Sequence, residues 1–89
     1  MARRIDSQID AQAMDVLRFM ARNVQSRPLL HSLLVSDIER WGQLPAEEKP
    51  RVFERDVRRF AVACPTLAQK DRVRHAAEGL RQVAMRAAS

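Results

Sequence analysis

Only two glycines and four prolines punctuate the 89 residues, and the single cysteine, Cys64, has no second thiol to pair with. One thiol excludes an internal disulfide framework, and with it the small stapled folds of secreted domains. It suits a reducing compartment, so a cytoplasmic protein is the expectation. Tyrosine is absent, and one tryptophan and three phenylalanines are the only aromatics. The core must therefore be largely aliphatic and methionine, and a base-stacking platform for single strands is poorly supplied. No apolar run approaches the roughly eighteen residues of a membrane span. Asp6, Gln8 and Asp10 break the apolar stretch that a signal peptide would need after Arg3 and Arg4. A glycine-rich phosphate loop, a Gly-x-Ser-x-Gly elbow and a paired-carboxylate signature are all missing. The expectation is a non-enzymatic protein with no cofactor, no metal and no small-molecule substrate.

What is present is helical periodicity. Ile9, Ala13, Val16, Leu17, Met20 and Val24 form one apolar stripe, and Leu30, Leu34, Ile38 and Trp41 a second. Phe53, Val57, Phe60, Ala61 and Cys64 form a third, and Val73, Ala76, Leu80, Val83 and Ala87 a fourth. Recurrence at three and four residues is the mark of amphipathic helices. The pattern predicts an all-α fold: a single domain over 1–89, built as a compact antiparallel four-helix bundle with helices near 7–25, 27–41, 47–63 and 66–87. Ser7 to Asp10 has capping-box spacing for the first start, and Thr66 with Gln69 for the last. Ser26 can cap the second helix with Pro28 in its first turn, and Gly42 can close it. Gly79, inside the fourth segment, costs about 1 kcal/mol relative to alanine unless another helix approaches it closely.

The second segment is apolar over most of its circumference. Leu29 and Val35 fall well off the Leu30–Trp41 stripe, so this helix either occupies the centre of the bundle or touches another chain. The first alternative predicts that it supplies most of the core, with Leu34, Ile38, Trp41, Phe53, Val57 and Phe60 near the middle. The second makes Leu29 and Val35, with Phe19 of the first segment, candidate partner-binding residues.

Sixteen basic residues against eleven acidic give a net charge of +5. Fourteen of the sixteen are arginine, whose planar fork suits phosphate or carboxylate. Thirteen alanines accompany them, the joint bias of a GC-rich coding sequence. Arg51, Arg55, Arg58 and Arg59 share one face of the third segment, and Arg72 and Arg74 open the fourth. Arg51, Arg55, Arg58, Arg72 and Arg74 are thus candidate nucleic-acid contacts, through salt-sensitive phosphate binding. Interspersed acids dilute the field: Glu47, Glu48, Glu54 and Asp56 leave the third segment at +1. Glu47–Arg51 and Glu54–Arg58 have the spacing of intrahelical ion pairs.

The stretch Trp41-Gly42-Gln43-Leu44-Pro45-Ala46-Glu47-Glu48-Lys49-Pro50, followed by Phe53, resembles the join before the last helix of an HMG box. The basic start and aromatic cluster of such a box are absent, and the Lys-Pro spacing differs, so no DNA-contacting residue carries over. Asp71 and His75 stand four apart, too few for a metal site, and Cys64 continues an apolar stripe as an inert thiol would. Two functional expectations remain. The first is a small protein–protein interaction or regulatory module, homodimerisation included. The alternative is a nucleic-acid-binding regulator using the arginine-rich face.

Overall fold

The first helix forms where nothing in the sequence opposes it. Ala2 to Gln12 contains neither glycine nor proline, and α1 runs over Ala2–Arg22. A computed structural model describes the backbone of residues 2–88 and the side chains of residues 7–88. The expected start at residue 7 is therefore corrected. Ser7 lies inside the helix, because good helix formers upstream outweigh a capping box that would have ended it. The end is also earlier than expected. Asn23 folds its side-chain amide back to the Phe19 carbonyl at 2.8 Å, and a turn carries the chain to Ser26.

Helix α2 spans Pro28–Arg40, with proline in the first turn and no side-chain cap from Ser26 or Arg27. Gly42 does not close it in a left-handed conformation, since no glycine has positive φ. Instead the chain tightens into a 3-10 turn over Trp41–Gln43. Helix α3 spans Lys49–Ala63, its start pinned by Pro50; Glu47 and Glu48 lie in the preceding turn. The expected fourth helix is two. Pro65 opens a single turn, α4 (Pro65–Ala68), and α5 begins at Asp71 and runs to Ala88. Thr66 thus sits inside α4 and caps nothing. The α5 start is set by the Lys70 carbonyl, which accepts from the Val73 and Arg74 amides at 3.0 and 3.3 Å. No strand occurs among the described residues, so the chain is all-α.

The core lies between α1, α3 and α5. Ala13, Val16, Leu17, Met20 and Ala21 of α1 meet Val52, Phe53 and Phe60 of α3 and Val73, Ala76 and Leu80 of α5. Phe19 packs edge-on to Phe60 and Trp41 edge-on to Phe53, with ring centroids 6.2 and 6.5 Å apart. Each fully buried side chain of this size contributes about 1.5–3 kcal/mol. Gly79 lets α5 press against α1: a Cβ there would lie 3.2 Å from Ile9 Cγ2. One residue on, Asp10 ties α1 to the α2–α3 connection, accepting from Lys49 Nζ at 2.8 Å and from Trp41 Nε1 at 3.4 Å.

Helix α2 does not supply most of the core, contrary to expectation. Leu34 is its one fully buried apolar side chain, and Leu30 and Ile38 are half-buried against the core. Val57 is likewise only half-buried, whereas Trp41, Phe53 and Phe60 lie inside. The physical reason is position: α2 covers α1 and α3 from one side, and its remaining circumference has no helix to meet.

Candidate interaction face

Two aspartates interrupt the apolar faces of α2 and α3. Asp37 follows Leu34 by three residues and precedes Trp41 by four, while Asp56 follows Phe53 by three and precedes Phe60 by four. Helical geometry therefore sends both carboxyls inward, and they are 3% and 0% exposed. Asp37 accepts from Arg40 Nε at 3.0 Å and from Arg55 Nη2 at 3.1 Å. Asp56 is poorer in donors. Arg55 Nε and Arg59 Nη1 stand 3.8 and 4.0 Å from its Oδ1, beyond hydrogen-bond reach, and neither Asp56 oxygen receives an N–H. Its remaining polar neighbour is the Asp37 carboxylate, and two carboxylates can hydrogen-bond only through a proton.

The energetics agree with that proton. Burial pushes Asp56 up to about 8, and the hydrogen bond and negative charge of Asp37 push the same way, against the attraction of Arg55 and Arg59. Asp37 moves oppositely: burial would raise it, but hydrogen bonds from Asp56, Arg40 and Arg55 hold it below the usual carboxylate range. The site thus favours the neutral form of Asp56 and the ionised form of Asp37. Such pairs can serve acid–base chemistry when a substrate reaches them, but Asp56 has no exposed surface. The arrangement joins α2 to α3 through a buried polar link.

Above this link runs an open groove. Its apolar half, about 580 Å³, is lined by Pro28, Leu29, Leu30 and Leu33 of α2 and Val62 and Ala63 of α3, with Arg27 and Arg59 at the edges. Leu29, Leu33 and Arg59 also line the polar continuation, which reaches Ser36, Asp37, Arg40 and Arg55. Leu29 and Val62 are 88% and 86% exposed, more than any other large apolar side chain among the described residues. A protein surface carries isolated apolar residues routinely; two lining one concave apolar surface make it a candidate contact site.

The other candidate residues disperse. Phe19 is half-buried, with the Arg72 guanidinium 4.8 Å from its ring centre. Val35 is half-buried and does not line the groove. Arg74 pairs with Asp71, and Arg55 is held by Asp37. Arg51 and Arg58 share a shallow face with Glu47 and Glu54, and Arg58 and Arg74 a second one with Glu54, Glu78 and Arg81. Glu54 does not pair with Arg58 as spaced; Arg81 of α5 takes it at 3.2 Å. Glu47 lies in the turn before α3.

His31 Nδ1 lies 3.0 Å from the Ala21 carbonyl, to which it donates. Among the described residues no three His, Cys, Asp or Glu side chains gather as metal ligands, and no helix is long and apolar enough to cross a membrane.

Sequence reading missed Val62 and the aspartate pair, and placed Arg59 on the basic face without making it a candidate contact. The pair was visible in principle, because an acid in register with an apolar stripe is a buried acid. No family model, curated protein or solved structure matches the chain.

Proposed function

We propose that this chain is a small, non-enzymatic protein–protein interaction module that docks its partner in the α2–α3 groove. The supporting observation is the exposed pair Leu29 and Val62 on an apolar lining. Returning two such side chains to an apolar contact recovers about 1.5–3 kcal/mol each, and the helices beneath them are fixed by core and buried polar contacts. Nucleic-acid binding has thinner support. Of its candidate arginines, Arg55 is committed to Asp37, Arg72 covers Phe19, Arg74 pairs with Asp71, and glutamates flank Arg51 and Arg58.

The test is affinity capture on the wild-type chain and on the double variant Leu29→Asp, Val62→Asp, each with and without nuclease, alongside sedimentation of the purified chain. The expected result is retention, of a protein or of a second copy, that survives nuclease and is lost in the variant. Retention that nuclease abolishes, or that the variant leaves intact, would refute the reading.

A further inference from the structure

The groove is polarised along its length. At one end lie Leu29, Leu33 and Val62; at the other lie Arg40 and Arg55, with Arg59 at the junction of the two halves. From Leu29 to Arg40 the α2 axis advances about 16 Å, roughly three helical turns. The rim and polar end carry Arg27, Arg40, Arg55 and Arg59. Against these four cations the groove lining offers one acid, Asp37, and Arg40 and Arg55 already share it. Among the described residues Arg27 has no acid within ion-pair range, and Arg59 has one, Asp56 Oδ1, 4.0 Å away. A second copy is a poor occupant. A two-fold interface sets the patch against itself, so both copies would bring the same surplus of positive charge to it, and like-charged surfaces repel.

We propose that the groove takes an acidic amphipathic helix of another protein, with apolar anchors on Leu29, Leu33 and Val62, one carboxylate on Arg59 and a second beside Arg40, whose Nε and Nη2 Asp37 holds and whose side chain is half exposed. This rests on the docking face argued above and adds the chemistry of what docks there. The mode is helix-in-groove: anchors at one helical spacing provide burial, and arginine forks grip carboxylates by charge-assisted hydrogen bonds. The two acids would sit two to three turns from the anchors, matching the separation of the groove's halves.

The test uses the full chain and synthetic helical peptides of about 16 residues. Each carries leucines at i, i+3, i+4 and i+7, with a pair of glutamates at one end or the other, or lysines in place of the glutamates. Binding is read by anisotropy, and its site by amide chemical shifts. The expected result is that one glutamate peptide binds at least about tenfold more tightly than its lysine counterpart, the effect of one charge-assisted hydrogen bond, and shifts Leu29, Leu33 and Val62. Arg59→Gln should remove most of that preference. Arg51→Glu, a larger change of net charge outside the groove, should leave most of it. Equal binding of both charges at these residues overturns the acidic assignment while the docking face stands. Equal loss in the Arg59 and Arg51 variants overturns it too, as a mere effect of net charge. So does the absence of groove shifts with every peptide, or self-association that depends on Leu29. Circular dichroism of Arg59→Gln confirms that loss of preference is not loss of fold.

Discussion

Replacing Asp56 by asparagine tests the buried proton directly. Asp56 titrates near 3.8 when unfolded and at about 8 when folded, because burial and the facing Asp37 carboxylate favour its neutral form. Between those values the folded chain holds a proton that the unfolded chain has released. Stability from this group is therefore fully present below about pH 4 and is lost as pH rises through about 8. Within that window the folding constant falls by up to about tenfold per pH unit. The ceiling over the whole interval is on the order of 5 kcal/mol, comparable to the total stability of many small domains. Asp37 has the opposite sign: held low by its arginines and by Asp56, it contributes above its unfolded value and loses that contribution as pH falls through its folded one. Asparagine copies the neutral acid, donates to Asp37 and does not titrate. Urea unfolding followed by the buried Trp41, at intervals from about pH 5 to pH 9, should show wild-type stability declining with pH and the Asp56→Asn chain nearly flat, the two crossing so that the variant is the more stable at the alkaline end. If wild-type stability is flat or rises across this range, or if asparagine destabilises as much at the alkaline end as at the acid end, Asp56 is ionised and paired with Arg55 and Arg59, and the shared proton does not exist.

Three further substitutions test the packing. Phe53→Ala empties a fully buried site between α1 and α3 and should cost about 3–5 kcal/mol, read as a large drop in urea midpoint or loss of the folded state. Gly79→Val sets a branched side chain where even a Cβ would stand 3.2 Å from Ile9. It should destabilise by about 1–3 kcal/mol, whereas the double variant with Ile9→Ala should recover part of the loss in the same melts. Leu29→Asp with Val62→Asp should change the melting midpoint little, because exposed substitutions usually stay within about 0.5 kcal/mol; a large drop would mean these side chains stabilise the fold itself.

The fold class was legible because three of the stripes, on α1, α3 and α5, each had a core to face. The residues at their centres, Leu17, Met20, Phe60, Val73, Ala76 and Leu80, are buried where the spacing put them. The errors share a cause. Local signals near Ser7, Thr66 and Gly42 are permissive, each able to end or begin a helix, and none is obligatory. At Ser7 continuous helix prevailed, at Thr66 a single helical turn that opens at Pro65 and ends at Ala68, and at Gly42 a 3-10 turn. The site was less legible. Which side of α2 stays open depends on how α1 and α3 approach it, a tertiary fact that no spacing within α2 encodes. Leu29 could be singled out as surplus, but Val62 could not, because its role follows from the pairing of α2 with α3.

Asp37 and Asp56 give that pairing its register. An apolar seam alone tolerates sliding of one helix along another, since leucine against leucine costs little wherever it meets. A carboxyl pair holding one proton does not: displacing α3 by a turn would strand Asp56 without Asp37 and leave a buried polar group unpaired, at about 1–3 kcal/mol or more. Arg55 reinforces this, reaching from α3 to Asp37 on α2 at 3.1 Å. The same contacts hold Leu29 and Val62 on one lining and set Arg59 at the junction of the apolar and polar halves. The groove is therefore preorganised by groups beneath it that need never touch a partner. Asp56→Leu should separate these two roles. It removes the carboxyl link and fills the site with apolar atoms, while the Asp37 charge stays paired with Arg40 and Arg55 and the cost of ionising a buried Asp56 at alkaline pH disappears. Such a chain should melt no lower than wild type near pH 8, yet its amide spectrum should show exchange broadening along α2 and α3. If the α2 and α3 resonances of the Asp56→Leu variant stay as sharp as the parent's, side-chain packing alone sets the register.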